Sequence, residues 1–531
     1  MGYRGLVVEL PLGPDGLTGT KNQSQVRPTQ LIKAPNITYE NGTLQKEPGS
    51  TKYNAAAITG APTIMAGWDW FPAAGVQRMI VVTSAGAVLR DDGSGTFATT
   101  LTSGLSLSGS VPFFVEAGKE AQANNRKLFL LTGLNQVQVL SGDGVAMAPI
   151  ATPPADWAAG AFPKTGVVHE SRFWGFLGHR AYASRPDNHE DFTIDASANT
   201  AVQLAVYPGE GEEIIAAFVF GPFIIVGKRP QGIYLIDTSS PTVANWKVKR
   251  LTRQIGFASP QAFAIIDGDV IIMDVSGELF ALSVFSELVD VRPRSLTEAA
   301  EFSPFLRDNT NPAHYSKVTG IYYAAKRQAW FAVAGFGAAV NTARIKLDAN
   351  RAGILRFGFS TFVTCESLWL RKDLNGIPRP VAGDNAGFVR LLDQSSRAHD
   401  SLGYQAEFQT PHLDFSHLGD PKLASKRKQG QFLELVMEPV GNWNLTVDVL
   451  WDGVITQVLT FNLGHTGAAL DSFLLDTDVL AGDQVLNRKR RLVGGGKRLS
   501  ILGRNNGVGQ DFSIARAYFH GVLGDERETI P

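Results

Sequence analysis

Residues 251–283 read LTRQIGFASPQAFAIIDGDVIIMDVSGELFALS. Two apolar runs, AFAII and VIIM, flank Asp267, Gly268 and Asp269, and a third, LFAL, follows Ser276, Gly277 and Glu278. Short apolar and β-branched runs separated by Asp-Gly and Ser-Gly steps predict consecutive antiparallel strands with tight hairpins. The glycines supply the positive φ that such turns need. The runs are too short for helices and show no helical period. The stretch is therefore one antiparallel unit of about four strands.

The unit repeats in both directions. Hairpin-like pairs start at Met79, Lys127, Arg172, Phe223, Asp269, Ile321 and Pro380, at successive intervals of 48, 45, 51, 46, 52 and 59 residues. Identity between units is very weak, so the pattern alone carries the period. A period of about 40–50 residues with several strands per unit is the signature of a β-propeller. One or two β-sandwiches also place strands every 8–12 residues or so, but seven recurrences favour the propeller, with six to eight blades, over residues 56–395. Ser295 stands three residues before Glu298 at capping-box spacing, which predicts a helix over 295–302. Trp157 ends a Pro-rich loop and is expected to pack on the next blade.

The two ends differ from the middle. Residues 1–55 are punctuated by Gly and Pro and hold no long apolar run. They predict an extended arm with a few short strands that lies against another surface, because alone it buries little. From Tyr404 the rhythm changes to longer alternating strands such as NLTVDVL. Residues 404–531 predict a C-terminal β-sandwich, so the fold class is all-β: arm, propeller, sandwich.

Composition narrows the function. A chain of 531 residues with 55 Gly and 27 Pro needs several domains or a repeat and has many turns. The net charge of −1 gives no bulk attraction to nucleic acid or anionic membrane. Cys365 is the only cysteine, which excludes an intrachain disulfide and fits a reducing cytoplasm. The first apolar run is only Leu6, Val7 and Val8, shorter than a secretory core, and no run approaches a membrane span. The sequons at Asn36, Asn41 and Asn444 are then chance matches.

The search for chemistry finds little. His169, His179 and His189 are ten residues apart, but nothing in the spacing makes them converge on a metal. Arg90–Phe97 is similar to the inter-strand turn of sialidase-like propellers, with the wrong spacing and no paired carboxylates. Asp373–Gly376 and Asp308–Asn311 have fragments of calcium-loop spacing without the closing Glu. Two basic clusters, Lys422/Lys426/Arg427/Lys428 and Arg488/Lys489/Arg490/Arg491, lack interleaved aromatics and read as solvated or interface loops. No phosphate loop, dinucleotide fingerprint, nucleophile elbow or zincin motif occurs. No catalytic, cofactor-binding or metal-ligating residue is expected, and no enzyme activity.

Several stretches resemble a family of phage tail structural proteins. They are Leu31–Gly49 (LIKAPNITYENGTLQKEPG), Trp246 with Leu251–Pro260, Ile321–Phe357, Asn375–Asp393, Arg491–Leu499 (RLVGGGKRL) and Phe512–Ile514. Together they span nearly the whole chain. The nearest role in that family is the tail nozzle of short-tailed phages. The resemblance implies a propeller with an accessory β-domain, in a homohexameric ring below the portal-adaptor ring. It implies a place in the virion, synthesis in the host cytoplasm, and fibre, spike or needle proteins as further partners. DNA would pass only in transit, without sequence-specific binding, and no membrane would be entered. The arm would clamp a neighbour. The competing readings are a glycan-binding or glycan-cleaving propeller, which predicts a carboxylate or aromatic cluster at one propeller face and a secretion signal, and a cellular interaction scaffold, which predicts stronger repeat identity between blades.

Overall fold

The computed structural model describes residues 5–20, 22, 25–40, 42–118, 126–158, 160–197, 199–210, 213–283, 294–351, 354–464 and 485–524. Seven antiparallel sheets follow one another along the chain. Blade 1 comprises Ile64–Ala73, Val76–Thr83, Val88–Arg90 and Thr99–Thr102. Blade 2 comprises Phe113–Ala117, Lys127–Leu131, Gln138–Ser141 and Ala148–Pro149. Blade 3 comprises Thr165–His169, Arg172–Leu177, Arg180–Ala183 and Val202–Ala205, and blade 4 Glu213–Phe220, Phe223–Arg229, Ile233–Asp237 and Lys247–Thr252. Blade 5 has three strands among the described residues, Phe263–Ile266, Asp269–Met273 and Leu279–Ala281. Blade 6 comprises Thr319–Tyr323, Gln328–Val333, Ala343–Arg351 and Ile354–Ser360. Blade 7 takes Ser367–Lys372, Pro378–Gly383 and Val389–Gln394, and its outermost strand is Gly49–Lys52 from the far end of the chain. The innermost strand of blade 7 packs on that of blade 1, so the ring closes.

Burial on both faces explains the unbroken apolar runs. Successive side chains of a strand point to opposite faces, and in a propeller each face meets a neighbouring blade. In Phe223–Arg229, Ile224 and Val226 join the core shared with blade 3, while Ile225 joins the core shared with blade 5. In Lys127–Leu131, Leu128 and Leu130 face blade 1 and Phe129 and Leu131 face blade 3. A strand of this kind cannot alternate with polar residues.

The hairpins between second and third strands repeat a small device. In TSAG (83–86), DVSG (274–277) and DNAG (384–387), the first side-chain oxygen accepts the backbone N–H four residues on. The glycine has φ of 78°, 85° and 79° in the three turns. These turns are where the weak sequence repeat resides.

One expected hairpin sits one strand out of phase. Ile321–Val333 forms the first and second strands of blade 6, whereas the other six start at or within a few residues of a second strand. The loop from Ala334 to Thr342 separates the second strand from a polar third one, so the apolar hairpin signal fell on the earlier pair. The helix expected at 295–302 is Leu296–Ala299, with Ser295 Oγ accepting from the Glu298 amide at 2.9 Å, and Ser303–Asn309 follows as a second helix. Trp157 packs 4.9 Å from Phe192 and 5.7 Å from Tyr182, in the core between blades 2 and 3.

The C-terminal domain is a two-sheet sandwich. One sheet orders Ile37–Glu40, Thr43–Lys46, Ser513–Leu523, Lys428–Met437 and Leu486–Arg491, with Gly5–Leu10 also on Ser513–Leu523. The other orders Ala406–Gln409, Leu499–Asn505, Asn444–Trp451 and Val454–Asn462. Residues 465–484 and 525–531 of the expected domain lie outside the described residues.

The N-terminal segment is extended, as expected, but the surface it lies on belongs to its own chain. Three of its strands enter the sandwich and the fourth finishes blade 7. Val8, Leu10, Leu31, Ile37 and Leu44 are at most 3% exposed, in a core that runs from the sandwich to Met273, Phe331 and Phe357 of blades 5 and 6. The described part of segment 1–55 packs on the propeller and sandwich of its own chain. Paired backbone and a shared core, available within the chain, supply the order that the segment alone cannot.

A buried ion cluster fastens this seam. Glu47 receives Lys346 Nζ at 2.8 Å and Arg344 at 3.0 Å, with all three side chains at most 6% exposed. Ser360 Oγ donates to the same carboxylate, and the Tyr404 hydroxyl donates to the Glu47 carbonyl. Burial pushes the Glu47 carboxyl up, but Lys346, Arg344 and the hydrogen bonds outweigh it, and its pKa lies below the ordinary glutamate value.

Candidate functional site

The innermost strands of blades 1, 2, 5, 6 and 7 line a cavity of about 760 Å³ in the propeller channel. Its floor is a side chain. Gln261, just before blade 5, donates from Nε2 to the carbonyl of Pro112, just before blade 2, at 2.7 Å. Those blades stand across the ring from each other, so this bond bridges the channel. The result is a cup crossed at one end by that bond.

The walls are aromatic. Trp68, Phe71, Phe113, Phe263 and Tyr322 are half-buried and line the cup, and Trp369 lines it from a nearly buried position. Gly67 makes room for Trp369, because a Cβ at residue 67 would stand 2.4 Å from the indole ring. Strand geometry places these residues. Ala66 and Trp70 point into the core between blades 1 and 2, and Ile64 into the core between blades 7 and 1.

Three of the lining charges, Glu116, Arg126 and Asp69, are paired, whereas exposed Lys372 sets its Nζ 5.0 Å from the centre of the Phe71 ring. Arg126 bridges to Glu116, whose other oxygen accepts from Trp68 Nε1 at 3.4 Å. Asp69 accepts from Gln77 Nε2 at 2.8 and 3.0 Å and from the Lys372 amide at 2.8 Å. Burial outweighs these bonds and raises the Asp69 pKa. The Tyr322 hydroxyl donates to Asp267 at 2.8 Å, and burial together with that carboxylate pushes it up to about 12. Two buried donors lack a partner among the described residues: Trp369 Nε1 and Arg126 Nε. Such groups are costly unless something supplies an acceptor.

Sequence reasoning missed this cup. Its residues are single aromatics inside five separate apolar strands, and only ring closure brings them together. The shared signal is faint: an aromatic beside or near an acid in a first strand, as in Trp68-Asp69 and Phe114/Glu116.

The residues singled out from sequence lie elsewhere and apart. His169 meets Thr238 Oγ1 at 3.0 Å, His179 meets Lys228 at 3.3 Å, and His189 sits in a separate loop with its pKa lowered by burial. Among the described residues no three His, Cys, Asp or Glu side chains gather as a metal would need. In Arg90–Phe97, Asp92 accepts from the Ser94 and Thr96 amides, a plain Asx turn. Asp373 does the same with Asn375 and Ile377, and Asn311 caps a 3-10 turn through the Ala313 amide. Of the sequons, Asn36 is buried, Asn444 is exposed, and Asn41 lies outside the described residues.

The two basic clusters have different fates. Lys428 is buried, donates to the carbonyls of Leu423 and Lys497, and is lowered to about 8 by burial, while Lys422 and Arg427 face solvent. Arg488–Arg491 lie on the edge strand Leu486–Arg491, with Lys489 3.0 Å from Glu434. Gln457 and Arg490 tie that edge to Val454–Asn462 of the other sheet. Beside it Val454, Ile455 and Val458 are 66%, 54% and 57% exposed.

No family model and no curated protein matches the chain. Among solved structures it is similar to the WD40 β-propeller domain of Doa1, at 13% identity over 65% of this chain and 97% of that one, TM-score 0.40. It is also similar to U3-55K, at 9% over 65% and 99%, TM-score 0.41, and to BamB from Moraxella catarrhalis, at 10% over 65% and 97%, TM-score 0.35. No helix among the described residues is long and apolar enough to cross a membrane. The chain's own seven sheets and closed ring make it an all-β protein built on a β-propeller.

Proposed function

We propose that the chain is a structural subunit of a bacteriophage tail, forming with further copies the nozzle ring below the portal adaptor. DNA leaves through that ring, and fibres, spikes or a needle attach to it. One observation supports this most: the stretches that resemble tail proteins meet in space. Leu31–Gly49 supplies Glu47, whose ion partners Arg344 and Lys346 lie in Ile321–Phe357. Leu44 and Gln45 pair with Ile514 and Ser513 of the C-terminal stretch. Motifs separated by hundreds of residues thus form one joint between propeller and sandwich.

The joint makes a stiff unit, suited to a load-carrying wall. The Gln261 bridge crosses the propeller channel, and in this reading DNA runs between subunits. The exposed apolar edge at Val454, Ile455 and Val458, with its basic neighbour strand, is the surface assigned to subunit contact. Immunogold labelling of virions from the phage that encodes the chain tests the proposal. Gold directly below the connector is the expected result; gold on the capsid alone, or none on purified virions, overturns it.

A further inference from the structure

We propose that the outer face of the C-terminal sandwich binds single-stranded nucleic acid, over a depression beside Phe432. The inference is independent of the tail reading. It begins with an alternation along the strand Leu486–Arg491. Arg488 and Arg490 turn toward the other sheet, where they donate to the carbonyls of Gly464 and Thr460 at 3.1 and 2.9 Å. Lys489 and Arg491 therefore stand on the opposite, solvent face. Their register partners on Lys428–Met437 are Glu434 and Phe432, and Phe432 is 44% exposed. The row continues to half-buried His520, the partner of Phe432 on Ser513–Leu523. In sequence the basic cluster carries no aromatic residue, but the sheet sets two rings beside it.

Phe432 and Arg491 border a depression of about 710 Å³, with no Asp or Glu in its lining among the described residues. Gln429 and Gln431 line it too, both exposed. Exposed Arg427 enters the same strand 3.5 Å from the Gly495 carbonyl. The nearest acid, Glu434, is 9% exposed and already engages Lys489 at 3.0 Å and His520 at 2.6 Å. Glu9, two strands away, interacts with Arg516.

These groups fit a nucleotide. A base has a flat face for Phe432 and an edge of donors and acceptors for the two glutamines, while its phosphate meets Arg491. A single strand offers that face freely, whereas a duplex hides it in its own stack. No single group of an acidic peptide combines the flat face, the polar edge and the charge. A peptide that joined the sheet instead would need a run of free edge. Gln457 already holds the Arg491 carbonyl and the Val493 amide of that edge, at 3.0 and 2.9 Å.

The experiment titrates labelled oligothymidylate and oligoadenylate dodecamers with the full-length protein and reads fluorescence anisotropy at several salt concentrations. At least one single strand should bind, about tenfold more tightly than the duplex that the two form together. Phe432→Leu should weaken binding about tenfold, the loss of one stacked base, with the salt dependence unchanged. Because Phe432 faces solvent, its urea midpoint should stay near that of the parent. Arg491→Ala should instead flatten the plot of log affinity against log salt by about 0.7, the share of one phosphate on a single strand. Lys249→Ala removes the same charge from blade 4, where its side chain is 61% exposed, and should change neither quantity. The assignment is overturned if neither single strand binds, or if the duplex or polyglutamate binds as tightly. It is equally overturned if Phe432→Leu binds as well as the parent or Arg491→Ala keeps the parent's salt slope.

Discussion

Blade 4 and the seam between blade 6 and the sandwich are built from opposite kinds of pairing. Every strand of blade 4 pairs with its immediate neighbour in sequence, from Glu213 to Thr252. At the seam, Gly5–Leu10 pairs with residues 517–522, Gly49–Lys52 with 390–394, and Glu47 with Arg344 and Lys346. A blade is local and repeated, so losing a contact in one blade weakens one unit. The seam is non-local and single, so it couples both domains to the first fifty residues.

The sharpest way to break this comparison is to remove the segment. Deleting residues 1–52 takes one strand from blade 7 and three from the sandwich. The truncated chain should lose cooperative unfolding and near-ultraviolet dichroism and become insoluble. A soluble truncated protein with a sharp thermal transition would show that the seam is dispensable.

The next largest effect is at Glu47. Glu47→Gln leaves Arg344 and Lys346 buried beside a neutral group, and one-sided loss from a buried ion cluster costs about 3–5 kcal/mol. Urea unfolding should show that loss with an unchanged slope. The pH dependence has a definite sign. Glu47 is depressed in the folded protein, so its contribution is fully present above the unfolded glutamate value of about 4.3. It disappears as pH falls through the lower folded value. Acid should therefore destabilise the parent more steeply than Glu47→Gln; equal slopes below that pH would remove the carboxylate from the account.

What was legible in the sequence follows the same division. The blades could be read because VIIM, KLFLL and FIIV are buried on both faces and separated by Asp-Gly or Ser-Gly turns. The hairpin at Ile321 was read one strand early because the third strand of blade 6 carries Arg344, Lys346 and Asp348. Those charges serve the seam, and nothing local announces their partner Glu47. The arm was legible as extended, but not its destination: ITYE and TLQK are too short to show which strand they join. The cup was invisible for a related reason, since Trp68, Phe113, Tyr322 and Trp369 meet only after the ring has closed.

Within a blade the expected effects are smaller. Gly227→Ala would set a Cβ 1.9 Å from the Phe257 ring. Overpacking of this kind costs about 1–3 kcal/mol, read as a lower urea midpoint; no change would show that blades 4 and 5 are loosely packed. Smallest of all is Lys422→Ala, on an exposed turn, which should stay within about 0.5 kcal/mol of the parent.

The direct test of the central claim, that the N-terminal segment completes its own chain, is a cross-link. Thr51 and Leu391 are register partners in blade 7, and the single native Cys365 is buried. Thr51→Cys with Leu391→Cys places two sulfurs on adjacent antiparallel strands, within disulfide reach. The oxidised protein should run as a monomer on a denaturing, non-reducing gel, with no thiol at either position open to alkylation. Covalent dimers and higher multimers that collapse on reduction would mean that the segment completes a neighbour's blade.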